Sequence, residues 1–402
     1  MDTVQTERIR NGVVLATAAV YAAGYATNGL VLMLAVAVRE MISRTWRWIP
    51  TPLDRPLVAY AAIAFISALF SEWRRESLVF SIFLALTMAL SVRTVAAYAL
   101  GGAGRCLRFL TFLVAGGMVT ALVAAMQFDP AGIRLPVTTA LGSNAVGTTL
   151  ALAVVIMLGL LTGRAPGPWW ALIAVLAVLL FGLLATWARA AWLGAVAGTL
   201  VLVAVGVERR VRVALVFLGL FLIVLAAVLL PRWPALDKEV RSIGSLQANK
   251  NRITLWMALP KMIAEHPITG TGFGTFVFAY PRYRLPGAFD LNPPFAHNLL
   301  LNSLAEMGPG GLAAIVALCA MGLLSPWRWM TRSPRGSPGR TAAVTVLAAL
   351  IALLASQMAD GTLMSVHLSF GLFALLAVGA VGDRYLSKGE ALSEGETSSG
   401  EA

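Results

Sequence analysis

Long apolar stretches, separated by short polar and basic loops, make up most of this chain. A helix needs about 20 apolar residues to cross the hydrocarbon core of a bilayer. Stretches of approximately this kind lie at residues 12–38, 56–71, 77–99, 109–127, 145–163, 168–187, 190–207, 213–230, 309–327, 341–359 and 364–381. The pattern therefore predicts an all-α polytopic membrane protein with about 12 transmembrane helices.

The first apolar stretch is too long for one ordinary crossing, and Gly24, Asn28 and Gly29 interrupt it. It forms either one tilted helix, which lowers the predicted number of crossings to about 11, or a hairpin of two short helices. Arg8 and Arg10 favour a start on the cytoplasmic side and therefore the hairpin. A cleaved signal peptide is a weaker alternative, since a second apolar run follows the first almost directly.

The composition agrees with a membrane protein. Hydrophobic residues make up 58% of the 402 residues and charged residues only 12%, whereas an ordinary soluble chain has roughly 25% charged residues. So few charges cannot cover a water-facing surface. The net charge of +12 comes largely from arginines between apolar stretches, which is typical of topology signals and not of nucleic-acid binding.

The distribution of Lys and Arg among the loops predicts the orientation, because short cytoplasmic loops carry more of them. One alternating set of loops is rich in arginine: 39–55, 101–108, 164–167, 208–212 and 328–340. The other set is poor in arginine: 72–76, 128–144, 188–189 and 360–363. The first set is predicted to be cytoplasmic, which places the one long loop, 231–308, on the opposite side.

Four regions follow from this arrangement. They are a transmembrane bundle at 1–230, the outer loop with helices at 231–308, C-terminal transmembrane helices at 309–382 and a disordered cytoplasmic tail at 383–402. Within the loop, apolar residues recur at helical spacing from Arg252 to Ile263. The loop is basic, which fits either a solvated face or a site for an anionic ligand.

Arg189 is the first candidate functional residue. It lies between two apolar segments with almost no loop around it. A charge this close to hydrocarbon is costly, so it marks a functional site by default, with snorkelling to the interface as the alternative. The arginine is predicted to need an anion, because its own helical turn carries no acidic residue.

His297 is the second candidate, because it ends the large loop where the chain enters the membrane. On a continuous helix, His297, Leu301, Leu304, Gly308 and Gly311 would share one stripe. Small residues in such a stripe favour close helix packing. His297 is therefore expected to project from the outer end of a packed helix, either as a functional group or as a structural hydrogen-bonding residue.

Metal and nucleotide chemistry is not expected. The chain has no cluster of His, Cys, Asp or Glu with the spacing of metal ligands, and no phosphate-binding P-loop motif. Chemistry on the outer face would then require a substrate that is already activated. The sequence predicts no metal site and no cofactor.

Several motifs resemble one known family. His297-Asn298, followed after nine residues by Gly308 and then by Gly311, resembles the histidine motif of the O-antigen ligases. Three other stretches are similar to the same superfamily, which also contains O-antigen polymerases and O-linked oligosaccharyltransferases. They are residues 189–192, Asn251-Arg252 with Trp256 downstream, and residues 266–274.

The resemblance implies an inverting, metal-independent glycosyltransferase of the bacterial inner membrane that acts in lipopolysaccharide biosynthesis. A glycan would pass from undecaprenyl pyrophosphate to a sugar hydroxyl of lipid A–core on the periplasmic side. His297 matches the catalytic base of the family, and Arg189 and Arg252 match the arginines that hold the pyrophosphate. Further candidates for substrate contact are Arg282, Arg284 and Asn298. The expected partners are the lipid-linked donor, the lipid A–core acceptor and membrane lipids, without nucleic acid.

Three alternatives stay open on the sequence. An O-antigen polymerase uses a similar donor, but it more typically has two large arginine-rich outer loops. An O-oligosaccharyltransferase is typically a longer chain. A transporter or flippase would favour internal repeats and charges at the middle of the membrane, whereas charges here lie at segment ends.

Overall fold

The computed structural model describes residues 3–23, 26–128, 142–163, 168–206, 234–245, 249–288, 290–360 and 366–387. Every regular element in these ranges is helical, which confirms the all-α fold class. The helices are α1 (Thr3–Ala22), α2 (Ala26–Ile42), α3 (Asp54–Leu69), α4 (Arg74–Ala99), α5 (Ala103–Met126), α6 (Ser143–Leu161), α7 (Trp169–Ala185), α8 (Arg189–Val201), α9 (Pro234–Ser242), α10 (Lys250–Glu265), α11 (Phe276–Ala279), α12 (Leu299–Arg332), α13 (Pro338–Gln357) and α14 (Val366–Val381).

Seven of the described helices are long and apolar enough to cross a membrane, and α7 is apolar but shorter. The seven are α4, α5, α6, α12, α13, and α8 and α14 together with the π-helical turns that extend them, Leu202–Gly206 and Gly382–Leu386. They coincide with apolar stretches of the sequence, so the protein is a polytopic membrane protein. The segment 213–230 and residues 388–402 lie outside the described residues, and the total number of crossings stays a prediction.

The first apolar stretch forms two helices, α1 and α2, which pack as an antiparallel hairpin. Thr17 Oγ1 donates to the carbonyl of Gly29, 3.4 Å away, and Arg10 lies 3.5 Å from Glu40 near the open end. A Cβ on Gly29 would lie 2.7 Å from the Thr17 methyl group, so glycine permits this close approach. The structure agrees with the hairpin interpretation of this stretch.

Small residues bring α8 and α13 together at the centre of the bundle. A Cβ on Gly194 would lie 2.5 Å from the carbonyl oxygen of Ala352, and one on Gly198 would lie 2.8 Å from that of Ala348. Membrane helices use small residues in this way, because close approach of backbones increases van der Waals contact. Since the two helices run antiparallel, the start of α8 lies beside the end of α13.

Ion pairs, one of them buried, link the arginine-rich segments at one end of the bundle. Arg105 lies 3.0 Å from Glu7, and Arg93 pairs with Glu40, both almost completely buried. A buried charge is tolerated only with a partner, so these pairs join α1, the end of α2, the end of α4 and the start of α5. Their common position agrees with the alternation of loops that the sequence predicts.

The segment from α10 to the start of α12 folds as a small cap at the other end. Leu255, Leu259 and Met262 of α10 are buried in one apolar cluster with Phe276 and Tyr280. The predicted helix from Arg252 to Ile263 is confirmed, and α10 extends it slightly at both ends. This second core holds α10 against the membrane bundle.

A hydrogen bond from a tyrosine side chain connects the end of α10 to the turn that follows α11. The Tyr283 hydroxyl donates to Glu265 Oε2 at 2.8 Å. Burial and this carboxylate together raise the pKa of Tyr283 to about 12. The phenol therefore stays protonated at neutral pH and keeps donating to the carboxylate.

Candidate active site

A kink divides α12 into an outer head, which ends at Met307, and a long membrane-spanning part. Gly308 has a φ of 65°, outside the helical region. Pro309 lacks an N–H, so the carbonyl of Ala305 has no partner within the helix. The N–H of Thr271 donates to that carbonyl at 3.1 Å. The loop thus satisfies the backbone group that the kink exposes.

The glycine-containing segment 266–274 lies between this kink and the α3–α4 hairpin. Gly270 has a φ of 66°, and a Cβ there would collide with the backbone of Glu306. On the other side, Ser77 Oγ donates to the carbonyl of Phe273 at 2.8 Å. The segment that resembles a family motif therefore positions the head of α12.

His297 lies directly before α12, with its imidazole against a buried carboxylate. Its Nδ1 is 3.4 Å from Asp360 Oδ1. The His297 side chain is 22% exposed, whereas that of Asp360 is 1% exposed. A hydrogen bond of this length is weak as it stands, but catalytic hydrogen bonds commonly shorten once substrate binds.

The placement of His297 corrects the expectation that it projects from the helix itself. Asn298 is the N-cap of α12, and its Oδ1 accepts from the N–H groups of Leu300 and Leu301 at 3.0 Å each. His297 precedes this cap with a φ of 51°, a conformation that L-residues rarely adopt. The helix begins after the histidine because the asparagine cap stops it there, and the kink at Gly308 further breaks the expected stripe.

Asn298 also joins the head of α12 to the end of α13. Its Nδ2 donates to the carbonyl of Met358 at 2.9 Å. Asp360 follows two residues later, so this bond and the His297 contact hold the same two elements together. Both polar ends of the Asn298 amide are engaged within the protein, and its expected substrate contact stays a prediction.

A chain of buried hydrogen bonds supports the residue before the histidine. The N–H of Ala296 donates to Asn302 Oδ1, and Asn302 Nδ2 donates to Glu306 Oε2, each at 2.9 Å. Glu306 Oε1 then accepts from the N–H of Phe276 at 2.9 Å. Asn302 and Glu306 are 2% exposed or less, so bonding along this chain satisfies side chains that burial would otherwise destabilise.

Trp256 of α10 contacts the same place from the loop side. Its indole Nε1 donates to the carbonyl of Ala296 at 2.7 Å. Arg252 lies one helical turn earlier on α10 and is half-buried. Ala296, which precedes the predicted base His297, is thus bonded to α10. The same helix carries Arg252, one of the two predicted phosphate-binding arginines.

Arg189 begins α8, and its guanidinium pairs with a carboxylate of α9. Its Nε lies 3.3 Å from Glu239 Oε1 of α9, and its Nη1 donates to the carbonyl and the hydroxyl of Ser242 at 3.0 and 2.7 Å. The predicted need for an anion is met by a residue 50 positions away, not by one in the same turn. Arg189 and Glu239 are 16% and 23% exposed, so solvent reaches the pair.

The remaining candidate arginines lie on the surface of the cap. Arg282 pairs with Glu72 Oε2 at 2.5 Å and stacks 4.9 Å above the Trp73 ring, although it is 55% exposed. Arg284 is exposed two residues further on. Arg282 thus ties the cap to the α3–α4 hairpin, and its expected substrate contact stays a prediction, as does that of Arg284.

The structure brings the predicted residues to one end of the bundle but does not gather all of them in one cluster. His297 contacts the chain just after α13, and Arg189 begins the helix that packs beside the end of α13. Arg252 is connected to His297 through Trp256, whereas Arg282 bonds to a different part of the bundle.

Sequence reasoning gave no site role to several residues that hold this arrangement: Asp360, Glu239, Trp256, Asn302 and Glu306. Asn302 and Glu306 carried a usable signal, since polar residues four apart on an apolar helix face one another. Asp360 carried a weaker one, as an acidic residue at the end of an apolar stretch. The pairing of Glu239 with Arg189 depends on how the loop folds.

Comparison with known proteins finds one family that matches this part of the chain. The family model described as O-antigen ligase matches residues 174–316, a range that contains Arg189, Arg252, His297 and the whole cap. No curated protein matches the chain. The match over residues 174–316 supports placing this part of the chain in the O-antigen ligase superfamily.

Proposed function

We propose that this protein is an O-antigen ligase. It transfers a glycan from undecaprenyl pyrophosphate to a sugar hydroxyl of lipid A–core, on the periplasmic side of the bacterial inner membrane. The observation that carries this proposal is the His297–Asp360 pair, 3.4 Å apart, at the same end of the bundle as Arg189. His297 and Arg189 both lie in the range that matches the O-antigen ligase family model.

His297 is suited to act as the general base. When Nδ1–H donates to Asp360, the lone pair of Nε2 can accept a proton from the acceptor hydroxyl. The hydroxyl oxygen then attacks the anomeric carbon of the donor. The bond from that carbon to the pyrophosphate oxygen breaks, and its electron pair leaves with the pyrophosphate. A single displacement of this kind inverts the anomeric configuration.

Arg189 and Arg252 are suited to receive the departing pyrophosphate. Guanidinium groups stay charged and bind phosphate oxygens through two parallel hydrogen bonds. Stabilisation of charge as it develops is usually the largest catalytic contribution. The reaction needs no metal if these two cations neutralise the leaving group, and Arg282, Arg284 and Asn298 then supply further contacts to the substrates.

An apolar cleft beside the head of α12 supports a lipid-linked donor. It holds about 530 Å³ of empty space, its open side included, and Tyr60, Phe80, Phe83, Phe273 and Leu299 are among the residues that line it. Leu299 is two residues from His297, so a tail in this cleft would bring its head group towards the proposed base. The donor, the acceptor and the surrounding membrane lipids are the partners of this reaction.

Transfer by the purified protein tests the proposal. Lipid-linked polymer and lipid A–core are mixed with the enzyme in detergent or liposomes, and the glycan-bearing product is measured. A deletion strain should make lipid A–core without O-antigen while lipid-linked polymer accumulates. Accumulation of single lipid-linked repeat units would indicate a polymerase and reject the ligase assignment.

Cysteine labelling tests the proposed orientation. Arg241 of α9 is 74% exposed, and Arg335 is exposed after α12 at the opposite end of the bundle. In intact spheroplasts, an impermeant maleimide should label Arg241→Cys and leave Arg335→Cys unlabelled until lysis. The unmodified chain measures the background from Cys106 and Cys319, and the reverse pattern would reject the orientation.

A further inference from the structure

His297 keeps a rare backbone conformation, so its orientation depends on neighbouring contacts. Its φ of 51° persists only where the surrounding structure fixes the chain on both sides. On the following side, the Asn298 side chain caps α12 and bonds to Met358. The preceding side must be fixed as well, or the imidazole would change direction with the backbone.

Ala296 directly precedes His297, and both its N–H and its carbonyl are bonded to side chains of other segments. Its N–H donates to Asn302 at 2.9 Å, and its carbonyl accepts from the Trp256 indole at 2.7 Å. The carbonyl belongs to the same planar peptide as the N–H of His297. The indole bond therefore fixes the peptide plane from which His297 extends.

The tryptophan belongs to a helix that has little freedom to move. Leu255 and Leu259 on either side of it are 3% exposed or less and pack with Phe276 in the core of the cap. Arg252 lies on the same face of α10, one turn before Trp256. The indole bond thus links two rigid elements, one with the proposed base and one with a proposed phosphate ligand.

We propose that Trp256 is a positioning residue that holds the base and the phosphate-binding arginine in one geometry through its hydrogen bond to Ala296. The proposal rests on the proposed function. Loss of the bond leaves both groups present and allows their separation to vary. The chemical step should slow, because small misplacements of reacting groups are costly, while donor binding is largely kept.

Trp256→Phe removes the N–H and keeps an aromatic ring in place. We expect kcat to fall by about 10- to 100-fold, with the KM for the lipid-linked donor changed by less than about 2-fold. Trp327→Phe is the matched control, since Trp327 is half-exposed near the far end of α12, and it should keep the wild-type kcat. An unchanged kcat in Trp256→Phe, or a raised KM alone, would overturn the proposal.

Hydrogen exchange tests the mechanical link without any assay of transfer. In Trp256→Phe, the amides of Ala296, Leu300 and Leu301 should exchange faster than in the wild type and in Trp327→Phe, because the head of α12 loses one of its anchors. Equal exchange in all three proteins would overturn the link. Faster exchange in a protein that transfers no glycan would keep the link and reject the proposed function instead.

A reciprocal exchange of side chains supplies a second test if Trp256→Phe does not fold. Asn302→Asp alone places two carboxylates together, whereas Asn302→Asp with Glu306→Gln restores the order of donors and acceptors from Ala296 to Phe276. The double variant should recover protection of Ala296 and most of the kcat that Asn302→Asp loses. Absence of recovery in a folded double variant would show that this bonded chain does not position His297.

Discussion

The two sides of the candidate site are built differently. His297 is held by the buried part of the protein. Asp360, just after α13, contacts its imidazole, and Asn302 and Glu306 of α12 support the preceding residue; all three are 2% exposed or less. Arg189 is held by Glu239 and Ser242 of α9, a helix of nine residues, and water reaches the ion pair. One side is fixed by the core of the protein, and the other by a short surface helix.

The difference matches what each group must do in the proposed reaction. A base acts best when its direction is fixed before substrate arrives, since no reorganisation is then needed in the transition state. A phosphate-binding arginine such as Arg189 must instead release its partner within the protein in order to bind the substrate. Glu239 is a suitable partner to be displaced because solvent reaches its ion pair with Arg189. Such a pair contributes little to stability, and a single carboxylate competes weakly with a pyrophosphate.

The largest effect on transfer is expected at His297, the side of the site that the protein core holds in place. His297→Ala should fold, bind donor and lose about 10²- to 10⁴-fold in transfer rate, because a general base is removed. In vitro ligation with purified variants measures the transfer rate. A folded His297→Gln variant near the wild-type rate would show that the histidine only makes a structural hydrogen bond.

At Arg189, whose partner Glu239 must be displaced by substrate, Arg189→Ala should lower transfer by roughly 10²- to 10³-fold. This is the range found for loss of a group that stabilises developing charge. Arg189→Lys should recover little, because lysine lacks the bidentate fork. Single-turnover ligation gives the rate. Arg241→Ala is the matched control, since Arg241 lies on α9 and pairs with Asp237 at 2.8 Å. Near-normal transfer by Arg189→Ala would remove this arginine from the site.

Asp360→Asn tests whether the buried carboxylate orients the His297 imidazole, and it should lower kcat. Hydrogen bonds to charged groups are worth about 1.5–3 kcal/mol, which corresponds to roughly 10- to 150-fold in rate if the carboxylate orients the imidazole. The KM for the donor should hardly change, because Asp360 contacts His297 and not the proposed phosphate ligands. A raised KM with unchanged kcat in ligation assays would place Asp360 in substrate binding instead.

The sequence predicts the helices well because hydropathy is a local property. The apolar stretches that became α4, α6 and α13, and the polar break between α1 and α2, needed no knowledge of packing. Arginine counts also placed the loops 39–55 and 101–108 at one end, where ion pairs to α1 and α4 bring them together. The N-cap role of Asn298 was readable too, since asparagine directly before an apolar helix is a start signal.

The partners of the site residues were not predictable in the same way. Asp360 is 63 residues from His297, and Trp256 is 40 residues from Ala296. Such contacts depend on which helix faces which, and hydropathy specifies burial without specifying neighbours. The break at Gly308 could have been predicted from the sequence, because a proline follows it and leaves a carbonyl without its helical partner.

Glu239→Gln is expected to have the smallest effect, and its direction is the informative part. It removes the charge that holds Arg189 while it keeps the size of the side chain. Ion pairs that solvent reaches contribute about 0.2–1 kcal/mol, so relief of the competition should lower the KM for the lipid-linked donor by at most about 5-fold, with kcat nearly unchanged. Asp237→Asn, which breaks the neighbouring pair on α9, controls for loss of the helix itself. If Glu239→Gln instead raises the donor KM, the carboxylate orients Arg189 for substrate, and the two sides of the site are preorganised alike.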